Sequence, residues 1–367
     1  MRHIVQITPY YPPHLGGLER VAQSLSTRLA QRHDVRVITS AVSGSEAARR
    51  EQAEGVRIRR HRAVEAAHTP LAPGAFVSLL ATPRDAVLHL HCAHALWPET
   101  VMLCARLRRQ RYIVHFHLDV DGSGSLGWLL PAYKKHVFGR VLRGAGAVIA
   151  LTESQARFLR EEYGIAKERI FVVPNGIEER YFADATAPAR DEDQAGPLRL
   201  LFVGRLDVQK NVARLLDAMS LVREPVRLRL VGDGELRTEL EAQAVRLGLD
   251  VEFSGRLLGP ELVAAYRAAD AFVLPSDKEG MPLAALEAMA AGLPVVATDV
   301  PGNSDLLQGV GILAEPEPAA LATAIDSLAA DPELRFKVAE RCAEAARQYS
   351  WDAVVSRIEA VYSEVYA

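Results

Sequence analysis

The sequence predicts an α/β protein made of two Rossmann-like domains with a cleft between them. Its 367 residues exceed the usual size of one hydrophobic core and suit two domains of roughly 150–200 residues. Short apolar strands alternate with helices along the chain, which predicts parallel sheets covered on both faces. The segment 183–198 (ADATAPARDEDQAGPL) lacks apolar periodicity, and the alternation restarts after it.

The first domain is expected over residues 1–185. Its predicted strands are short apolar runs bounded by turn residues: 3–7, 34–40, 56–62, 86–94, 111–119, 146–154 and 169–176. A helix is predicted over 18–32, because apolar residues recur there at helical spacing and share one face: Leu18, Val21, Ala22, Leu25 and Leu29.

The second domain is expected over residues 186–350. Its predicted strands alternate with helices in the same way: 198–206, 226–234, 251–255, 270–276, 294–300 and 311–315. The chain is predicted to be helical from Pro318. The last helix, 351–367, is amphipathic, and we expect it to pack back on the first domain.

Composition excludes several classes of protein. A net charge of −3 and a pI of about 6.4 give no footprint for general nucleic-acid binding. Three scattered cysteines, without a Cys-x-x-Cys pair, predict neither a disulfide framework nor a zinc knuckle. The chain has no signal-peptide core at its start and no apolar run of about 18 residues, so we expect a cytoplasmic protein without a membrane span.

Glycines and histidines occur at the carboxyl ends of the first domain's strands, where open parallel sheets bind ligands. Gly16 and Gly17 precede a helix, so their amides suit an anion, although a flexible turn has the same composition. His115 and His117 are expected on one strand face and Phe116 on the other. A histidine here is suited to positioning a sugar, or is simply packed in its strand.

The first strand of the second domain ends in FVGRLDVQKN, residues 202–211. Gly204 frees the turn, and Arg205 and Lys210 follow it shortly before a helix. Two cations at a strand end beside a helix start suit a diphosphate, whereas the alternative is a pair of ordinary surface charges.

Two glutamates bracket the segment EGMPLAALE, residues 279–287. Glu279 is predicted in a loop after a strand, and Glu287 in the first turns of a helix that ends at Gly292. Residues 280–284 are expected to offer backbone N–H groups to an anion at the helix start. Glu287 has apolar neighbours, and a carboxylate in that setting is costly unless it binds a partner.

Taken together, these motifs resemble the family-four retaining glycosyltransferases, which have the GT-B fold. The resemblance covers nearly the whole chain and is carried by four motifs: LPSDKEGMPLAALEAMAAGLPVVATDVPGN, FVGRLDVQKN, VVPNGI and PPHLGGLER. The Glu-x7-Glu spacing, in order with the others, is specific. The chain departs from the family at Pro301–Gly302, where Gly-Gly is frequent, and this puts the acceptor side in doubt.

The resemblance implies a nucleotide-diphospho-sugar as donor, with UDP-sugar favoured by its frequency in the family. The implied catalytic residues share contact with the donor sugar or its diphosphate: His117, Arg205, Lys210 and Glu279. The other implied donor-binding residues offer backbone amides, hold the ribose or lie against the base: Gly16, Gly17, Gly204, Arg256, Leu257, Gly280, Met281, Pro282, Leu283 and Glu287. Glu287 is the residue implied to hold both ribose hydroxyls.

The resemblance also implies transfer without a metal or other cofactor. The leaving diphosphate needs positive charge where negative charge develops, and Arg205 and Lys210 supply it. The resemblance further implies that the anomeric configuration is retained. Because no carboxylate is an obvious nucleophile, we expect this transfer to take place on the front face of the sugar.

The first domain is implied to bind the acceptor. On that side we predict His14, His94, Asp119 and Asp121, with a turn before Gly122 as the alternative interpretation of the two aspartates. These carboxylates favour a small soluble cationic acceptor, such as an aminocyclitol of an antibiotic pathway, over a cell-envelope polysaccharide or lipid-linked sugar. The Gly/Ser-rich segment 119–131 is expected to be an acceptor lid, with a flexible turn as the alternative. The basic clusters RIRRHR and RLRRQR are interpreted as solvated charge, so a membrane surface is not favoured as a partner. No feature of the sequence indicates an oligomeric state.

Three other functions are compatible with parts of this pattern. A nucleotide-sugar epimerase shares the fold, but Arg205, Lys210 and the glutamate pair favour a transferase. A dinucleotide oxidoreductase needs Gly-x-Gly-x-x-Gly, and Arg237 stands where the last glycine would follow Gly232 and Gly234. A non-catalytic sugar-nucleotide-binding module is the third alternative.

Overall fold

The computed structural model describes residues 1–14, 16–41, 48–66, 69–92, 95–117, 130–182 and 196–367. The chain divides into two compact units. The first comprises Met1–Asn175 with Asp352–Ala367, and the second comprises Gly176–Trp351. Each unit is an α/β layer structure with its own sheet.

The first unit contains an eight-stranded sheet in the order β10-β9-β8-β7-β1-β2-β4-β3 and a separate β5–β6 hairpin. Its strands are β1 (His3–Ile7), β2 (Asp34–Ala41), β3 (Arg50–Ala53), β4 (Val56–Arg62), β5 (Val64–Ala66), β6 (Thr69–Leu71), β7 (Val87–Cys92), β8 (Ile113–Phe116), β9 (Ala147–Ala150) and β10 (Ile170–Val172). Neighbouring strands of the sheet are parallel except the β3–β4 pair. The carboxyl ends of the central strands therefore lie at one edge.

Helices connect these strands: α1 (Gly17–Ala30), α2 (Pro73–Leu80), α3 (Trp97–Arg108), α4 (Leu130–Tyr133), α5 (Gly139–Gly144) and α6 (Glu153–Tyr163), with a π-helical turn at Lys134–Phe138 and a 3₁₀ turn at Lys167–Arg169. On the predicted apolar face of α1, Val21 and Leu25 are buried, whereas Leu18 is half-buried. The apolar core on one face of the sheet includes Leu90 and Phe116, which alternate with histidines facing the other way.

The second unit contains a six-stranded, fully parallel sheet in the order β13-β12-β11-β14-β15-β16. Its strands are β11 (Leu198–Val203), β12 (Val226–Val231), β13 (Val251–Gly255), β14 (Ala271–Leu274), β15 (Val295–Thr298) and β16 (Ile312–Ala314). Its helices are α7 (Val212–Met219), α8 (Arg237–Leu247), α9 (Gly259–Ala268), α10 (Leu283–Ala290), α11 (Asn303–Leu307), α12 (Pro318–Ala330) and α13 (Pro332–Ala346), with 3₁₀ turns at Glu179–Tyr181 and Arg347–Tyr349.

The division between the units falls at Asn175–Gly176, before the boundary at residue 185 that composition predicts. Backbone pairing is the reason, because the Ile177 N–H donates to the Tyr349 carbonyl at 2.8 Å, which ties this segment to the second unit. The last helix, α14 (Trp351–Val365), lies mostly in the first unit. There the Tyr366 hydroxyl donates to the Arg111 carbonyl at 2.8 Å. In the described ranges, no helix has both the length and the apolar character needed to cross a bilayer.

Candidate active site

Neighbouring strands of the second unit deliver the predicted charged residues to one edge of the sheet. Strands β11 and β14 pair in parallel, so the loops after them are adjacent. Gln209 joins the two loops, because its backbone carbonyl accepts from the Asp277 N–H at 2.9 Å and its side chain donates to the Lys278 carbonyl at 2.9 Å. The loop carrying Lys210 is therefore fixed against the loop carrying Glu279.

Lys210 and Glu279 form a buried ion pair at this edge. Lys210 Nζ lies 2.5 Å from Glu279 Oε1, and the two side chains are only 15% and 7% exposed. The Ser276 hydroxyl donates to the same oxygen at 2.6 Å. A carboxylate with two donors on one oxygen keeps a fixed position, and no described residue donates a hydrogen bond to its second oxygen.

Arg205 lies on the surface of the same loop. Its side chain is 67% exposed, and Arg205 Nη2 lies 3.1 Å from Asp207 Oδ2. Asp207 also accepts from the backbone N–H of Lys210 at 3.0 Å through its other carboxylate oxygen. Asp207 therefore contacts the side chain of Arg205 and the backbone of Lys210 within one turn, and the exposed guanidinium of Arg205 remains accessible.

The start of α10 corrects one element of the predicted anion site. Pro282 is the residue before the helix and has no backbone N–H, so it donates nothing to an anion. Within the predicted range 280–284, the residues that have a backbone N–H group are Gly280, Met281, Leu283 and Ala284. Gly280 and Met281 are buried, and Leu283 is half-buried.

Gly302 packs against the backbone of Glu279. Its φ is +87°, and a Cβ at this position would lie 2.4 Å from the Glu279 carbonyl oxygen. Only glycine combines that backbone conformation with so close an approach. Pro301 and Gly302 depart from the family pattern, and we expected this departure to affect the acceptor side. In the structure, Gly302 lies against the loop that carries Glu279.

Glu287 is buried within α10, at 3% exposure. The Tyr266 hydroxyl donates to Glu287 Oε2 at 2.9 Å, and it also lies 3.2 Å from the Ala284 carbonyl. A carboxylate among apolar helix residues was expected to need a polar partner, and the Tyr266 hydroxyl is such a partner. Arg256 and Leu257, expected beside the base, follow β13, where Arg256 is exposed and Leu257 is half-buried.

The predicted glycine pair of the first unit lies at the start of α1, with Gly16 as the residue before the helix. A Cβ on Gly16 would lie 2.1 Å from Glu19 Oε2, so this glycine makes room for a carboxylate of the same helix turn. Glu19 Oε1 lies 3.0 Å from His14 Nδ1. Gly16 thus lies close to a carboxylate of the chain itself, and the role of Gly16 and Gly17 toward a diphosphate stays a prediction.

His117 follows β8 and is buried among three other histidines. The rings of His115 and His117 are stacked with their centroids 4.2 Å apart, while Phe116 packs in the apolar core. The prediction that His115 and His117 share a strand face is therefore confirmed. Burial lowers the pKa of His117 to about 4, and the nearby Glu19 carboxylate opposes this shift, so its imidazole is neutral at pH 7.

His89, His91 and His115 bring ring nitrogens within 4.8 Å of one another. Metal binding requires a free lone pair on each ligand. Both nitrogens of His89 and both of His91 are already hydrogen-bonded, as is Nδ1 of His115. As arranged, these rings form a hydrogen-bonded network and do not fit a metal site.

Three acceptor-side predictions, His94, Asp119 and Asp121, lie outside the described residues, as does most of the predicted lid segment 119–131. Sequence reasoning missed Ser276, Tyr266 and Asp207 as supports of the predicted carboxylates and cations. It also missed His89 and His91. Their signal was present as His-x-His in two successive strand patterns, HLH and HFH.

Two family models match the chain. Residues 15–181 match Glycosyltransferase Family 4, and residues 197–331 match Glycosyl transferases group 1. Glycogen synthase of Mycobacterium tuberculosis is 30% identical, over 98% of this chain and 94% of the relative. Phosphatidyl-myo-inositol mannosyltransferase of Mycobacterium leprae is 34% identical, over 76% and 73%. D-inositol 3-phosphate glycosyltransferase of Pseudarthrobacter chlorophenolicus is 36% identical, over 62% of this chain and 57% of the relative.

Solved structures share the fold across the whole chain. Anabaena Alr3699/HepE in complex with UDP and glucose superposes with a TM-score of 0.78 at 20% identity, covering 99% of this chain and all of that one. Sucrose-phosphate synthase of Thermosynechococcus elongatus gives 0.78 at 21% identity, over 100% and 99%. These comparisons confirm the predicted GT-B fold of two Rossmann-like domains. With a full-length relative at 30% identity and two matching family models, the chain belongs to the family-four glycosyltransferases and is a glycosyl-transferring enzyme.

Proposed function

We propose that this glycosyltransferase uses a UDP-sugar, works without a metal and retains the anomeric configuration of the transferred sugar. The observation that carries the proposal is the buried Lys210–Glu279 pair at the carboxyl edge of a parallel sheet. Such an edge is where open α/β sheets bind ligands. A buried ion pair adds little to stability compared with apolar packing, so its presence at a ligand edge favours a binding role.

In this proposal each charged group meets one part of the donor. Glu279 accepts hydroxyls of the sugar, while Lys210 and Arg205 face the diphosphate, where negative charge grows as the glycosidic bond breaks. Glu287, oriented by Tyr266, accepts the ribose hydroxyls. The leaving phosphate takes the proton of the acceptor hydroxyl, and the sugar passes to the acceptor on the same face.

The preference for UDP is supported by the UDP and glucose bound to the fold neighbour HepE. A thermal-shift series with UDP, UDP-sugars and GDP-sugars tests it directly. We expect UDP-sugars to raise the melting temperature, since ligands that bind only the folded state stabilise it. If no nucleotide sugar or nucleoside diphosphate shifts melting, the proposal is wrong.

The chemistry has its own test. Incubation with the stabilising UDP-sugar and an acceptor, followed by NMR of the product, is expected to show the donor's anomeric configuration retained. An inverted product or a trapped glycosyl–enzyme adduct contradicts front-face transfer. Interconversion of the nucleotide sugar without release of UDP would instead indicate an epimerase.

For the acceptor we propose a hydroxyl of a small soluble molecule, with an aminocyclitol of an antibiotic pathway as the form suggested by Asp119 and Asp121. A cell-envelope or lipid-linked acceptor is the second candidate. One relative is named for phosphatidyl-myo-inositol, a lipid, which supports this second candidate. Another is named for D-inositol 3-phosphate, a small soluble molecule that carries negative charge.

One observation specifically favours an acceptor with negative charge. The β3–β4 hairpin carries a basic cluster around a cavity of about 200 Å³, lined by Arg49, Arg50, Arg59, Arg60, His61 and Arg62. Arg50 lies directly opposite Arg59 in the strand pair, an arrangement in which like charges repel. An anionic group between them would relieve that repulsion.

An acceptor competition separates the two candidates. Purified enzyme with its UDP-sugar is offered an aminocyclitol, inositol 1-phosphate or vesicles containing phosphatidylinositol. Transfer to the aminocyclitol alone supports the first candidate. Transfer to phosphatidylinositol in the vesicles supports the second candidate. Transfer to inositol 1-phosphate supports a small soluble acceptor that is anionic and not cationic. With either phosphate-bearing acceptor, we expect a lower rate in an Arg50→Ser, Arg59→Ser variant.

A further inference from the structure

Behind His117 lies a continuous hydrogen-bonded network on one face of the first sheet. The network contains five side chains from four elements, in the order His117 (after β8), His91 (β7), Gln6 (β1), Tyr362 (α14) and His89 (β7). All five side chains are buried. A cluster of so many polar groups in a sheet core persists only where each is satisfied or serves a purpose.

The contacts run in one line through the side-chain amide of Gln6. Toward His117, Gln6 Oε1 lies 2.7 Å from His91 Nε2, and His91 Nδ1 lies 3.0 Å from His117 Nε2. In the other direction, Gln6 Nε2 lies 3.1 Å from the Tyr362 hydroxyl, which lies 2.6 Å from His89 Nδ1.

The amide orientation fixes the proton on every ring in this line. A neutral imidazole has one N–H donor and one acceptor nitrogen. Because Gln6 Oε1 only accepts, His91 carries its proton on Nε2 and accepts at Nδ1. His117 must then carry its proton on Nε2, which leaves its Nδ1 as an acceptor.

If the Gln6 side-chain amide had the opposite orientation, every hydrogen bond in the line would run in the opposite direction. The donor–acceptor distances distinguish these two orientations. With Gln6 Nε2 toward Tyr362, the 3.1 Å contact is an N–H donor bond and the 2.6 Å contact is donated by the tyrosine hydroxyl. Both lengths match those donor types. Reversal would require a long hydroxyl bond at 3.1 Å and an unusually short ring N–H bond at 2.6 Å.

The rings remain neutral under working conditions, as this line of protons requires. Burial lowers the pKa of His91 well below its ordinary value, with the neighbouring imidazoles adding to the shift. Burial likewise lowers the pKa of His117 to about 4. Neither ring is therefore a cation near pH 7.

We propose that Gln6 and His91 are positioning residues that hold His117 in its Nε2–H tautomer, so that its Nδ1 accepts a hydrogen bond from a hydroxyl of the donor sugar. This inference rests on the proposed function for the identity of the ligand. Tyr362 contributes by accepting from the Gln6 amide, which connects the C-terminal helix to the orientation of His117. Within the described residues, His117 Nδ1 has no hydrogen-bond partner of the protein.

The tautomer can be measured on the full wild-type chain by ¹⁵N NMR of labelled histidine, with His117→Gln used to assign the signals. A ring nitrogen with a proton and one with a free lone pair resonate far apart. We expect a lone-pair signal for His117 Nδ1 and a protonated signal for Nε2. The reverse pattern overturns the inference, whether or not the enzyme transfers sugar.

A matched pair of variants tests the positioning role. His91→Phe keeps an aromatic ring but removes the acceptor for His117, whereas His115→Phe keeps the ring stacked on His117 and leaves the Gln6–His91–His117 line intact. We expect His91→Phe to weaken UDP-sugar affinity and kcat about 10-fold or more, with UDP affinity unchanged, because UDP lacks the transferred sugar whose hydroxyl His117 contacts. His115→Phe is expected to stay within about 3-fold.

Two results would contradict the positioning role. One is an equal loss of kcat in both variants, which would indicate general disruption of the sheet. The other is an unchanged His117 tautomer in His91→Phe with normal UDP-sugar affinity. If His91→Phe does not fold, Gln6→Leu is compared with the wild type by the same NMR signals, and a mixture of His117 tautomers is expected. Failure of all nucleotide sugars to bind would refute the proposed function and leave the tautomer result standing.

Discussion

Gly302 lies so close to Glu279 that a Cβ on the glycine would approach the Glu279 carbonyl oxygen to 2.4 Å. The loop before α11 therefore supports the backbone that presents the buried carboxylate. Since this carboxylate accepts from Lys210 and Ser276, a shift of its backbone would alter the whole strand-end site.

Gly302→Ala is expected to lower kcat at least 10-fold, because the loop of Glu279 must move to admit the methyl group. The matched control is Gly309→Ala. Gly309 has a similar φ of +73° but no atom within 4 Å of its Cβ position. Gly309→Ala should lose about 1 kcal/mol of stability from its positive φ, and Gly302→Ala should lose more because its methyl group also meets the Glu279 backbone, as measured by urea unfolding. Equal activity of the two would contradict this view of Gly302.

Tyr266→Phe removes the hydroxyl that donates to Glu287. We expect UDP to bind several-fold more weakly, measured by isothermal titration calorimetry, because the ribose-binding carboxylate loses its orientation. Tyr112→Phe serves as the control, since the Tyr112 hydroxyl donates to the Val141 carbonyl within the first unit. Unchanged UDP affinity in Tyr266→Phe would speak against Glu287 as the ribose ligand.

The buried histidines predict that stability falls in mild acid. Burial, with a smaller contribution from neighbouring rings, lowers the pKa of His89, His91 and His115 well below 6.5, and burial lowers that of His117 to about 4. Below pH 6.5 the unfolded chain takes up more protons than the folded one, so stability is full above that pH and declines toward pH 4. Urea midpoints at pH 7.5 and 5.0 measure the decline, and His89→Phe should reduce it.

Metal removal is expected to leave transfer unaffected, because Lys210 and Arg205 supply the charge that a divalent ion would otherwise provide. Initial rates in excess EDTA should equal those with added Mg²⁺ or Mn²⁺. A rate lost in EDTA and restored by a metal would contradict this part of the proposal.

Much of the strand-end site could be predicted from sequence, because parallel strands present their carboxyl ends at one edge. Glu287 was identifiable as a buried carboxylate from its apolar neighbours. Its partner was not, because Tyr266 is on another helix and only packing brings the two together. The prediction that Pro282 donates a backbone hydrogen bond was wrong. The sequence alone is enough to correct it, because proline has no backbone N–H.

The histidine network illustrates what sequence alone leaves open. The HLH and HFH runs place histidines on one face of each strand, but the pairing register decides which rings meet. Strands β7 and β8 pair with His91 opposite His115, which brings His117 next to His91. The domain boundary also depends on contacts that the sequence does not show. Composition marks the segment 183–198, whereas the structure divides the units at Asn175–Gly176, where Ile177 pairs with the backbone of the second unit.

The most direct test of the account compares two ion pairs of equal length. Lys210 and Glu279 are joined at 2.5 Å in a buried site, and Lys337 and Glu333 are joined at 2.5 Å on an exposed helix. The measurement is the rate of sugar transfer from UDP-sugar in Lys210→Ala, Glu279→Ala and Lys337→Ala, each shown to be folded by circular dichroism. We predict a loss of about 100-fold or more for the first two and wild-type activity for the third. Near-normal transfer in folded Lys210→Ala and Glu279→Ala would contradict the assignment of this pair to the donor site.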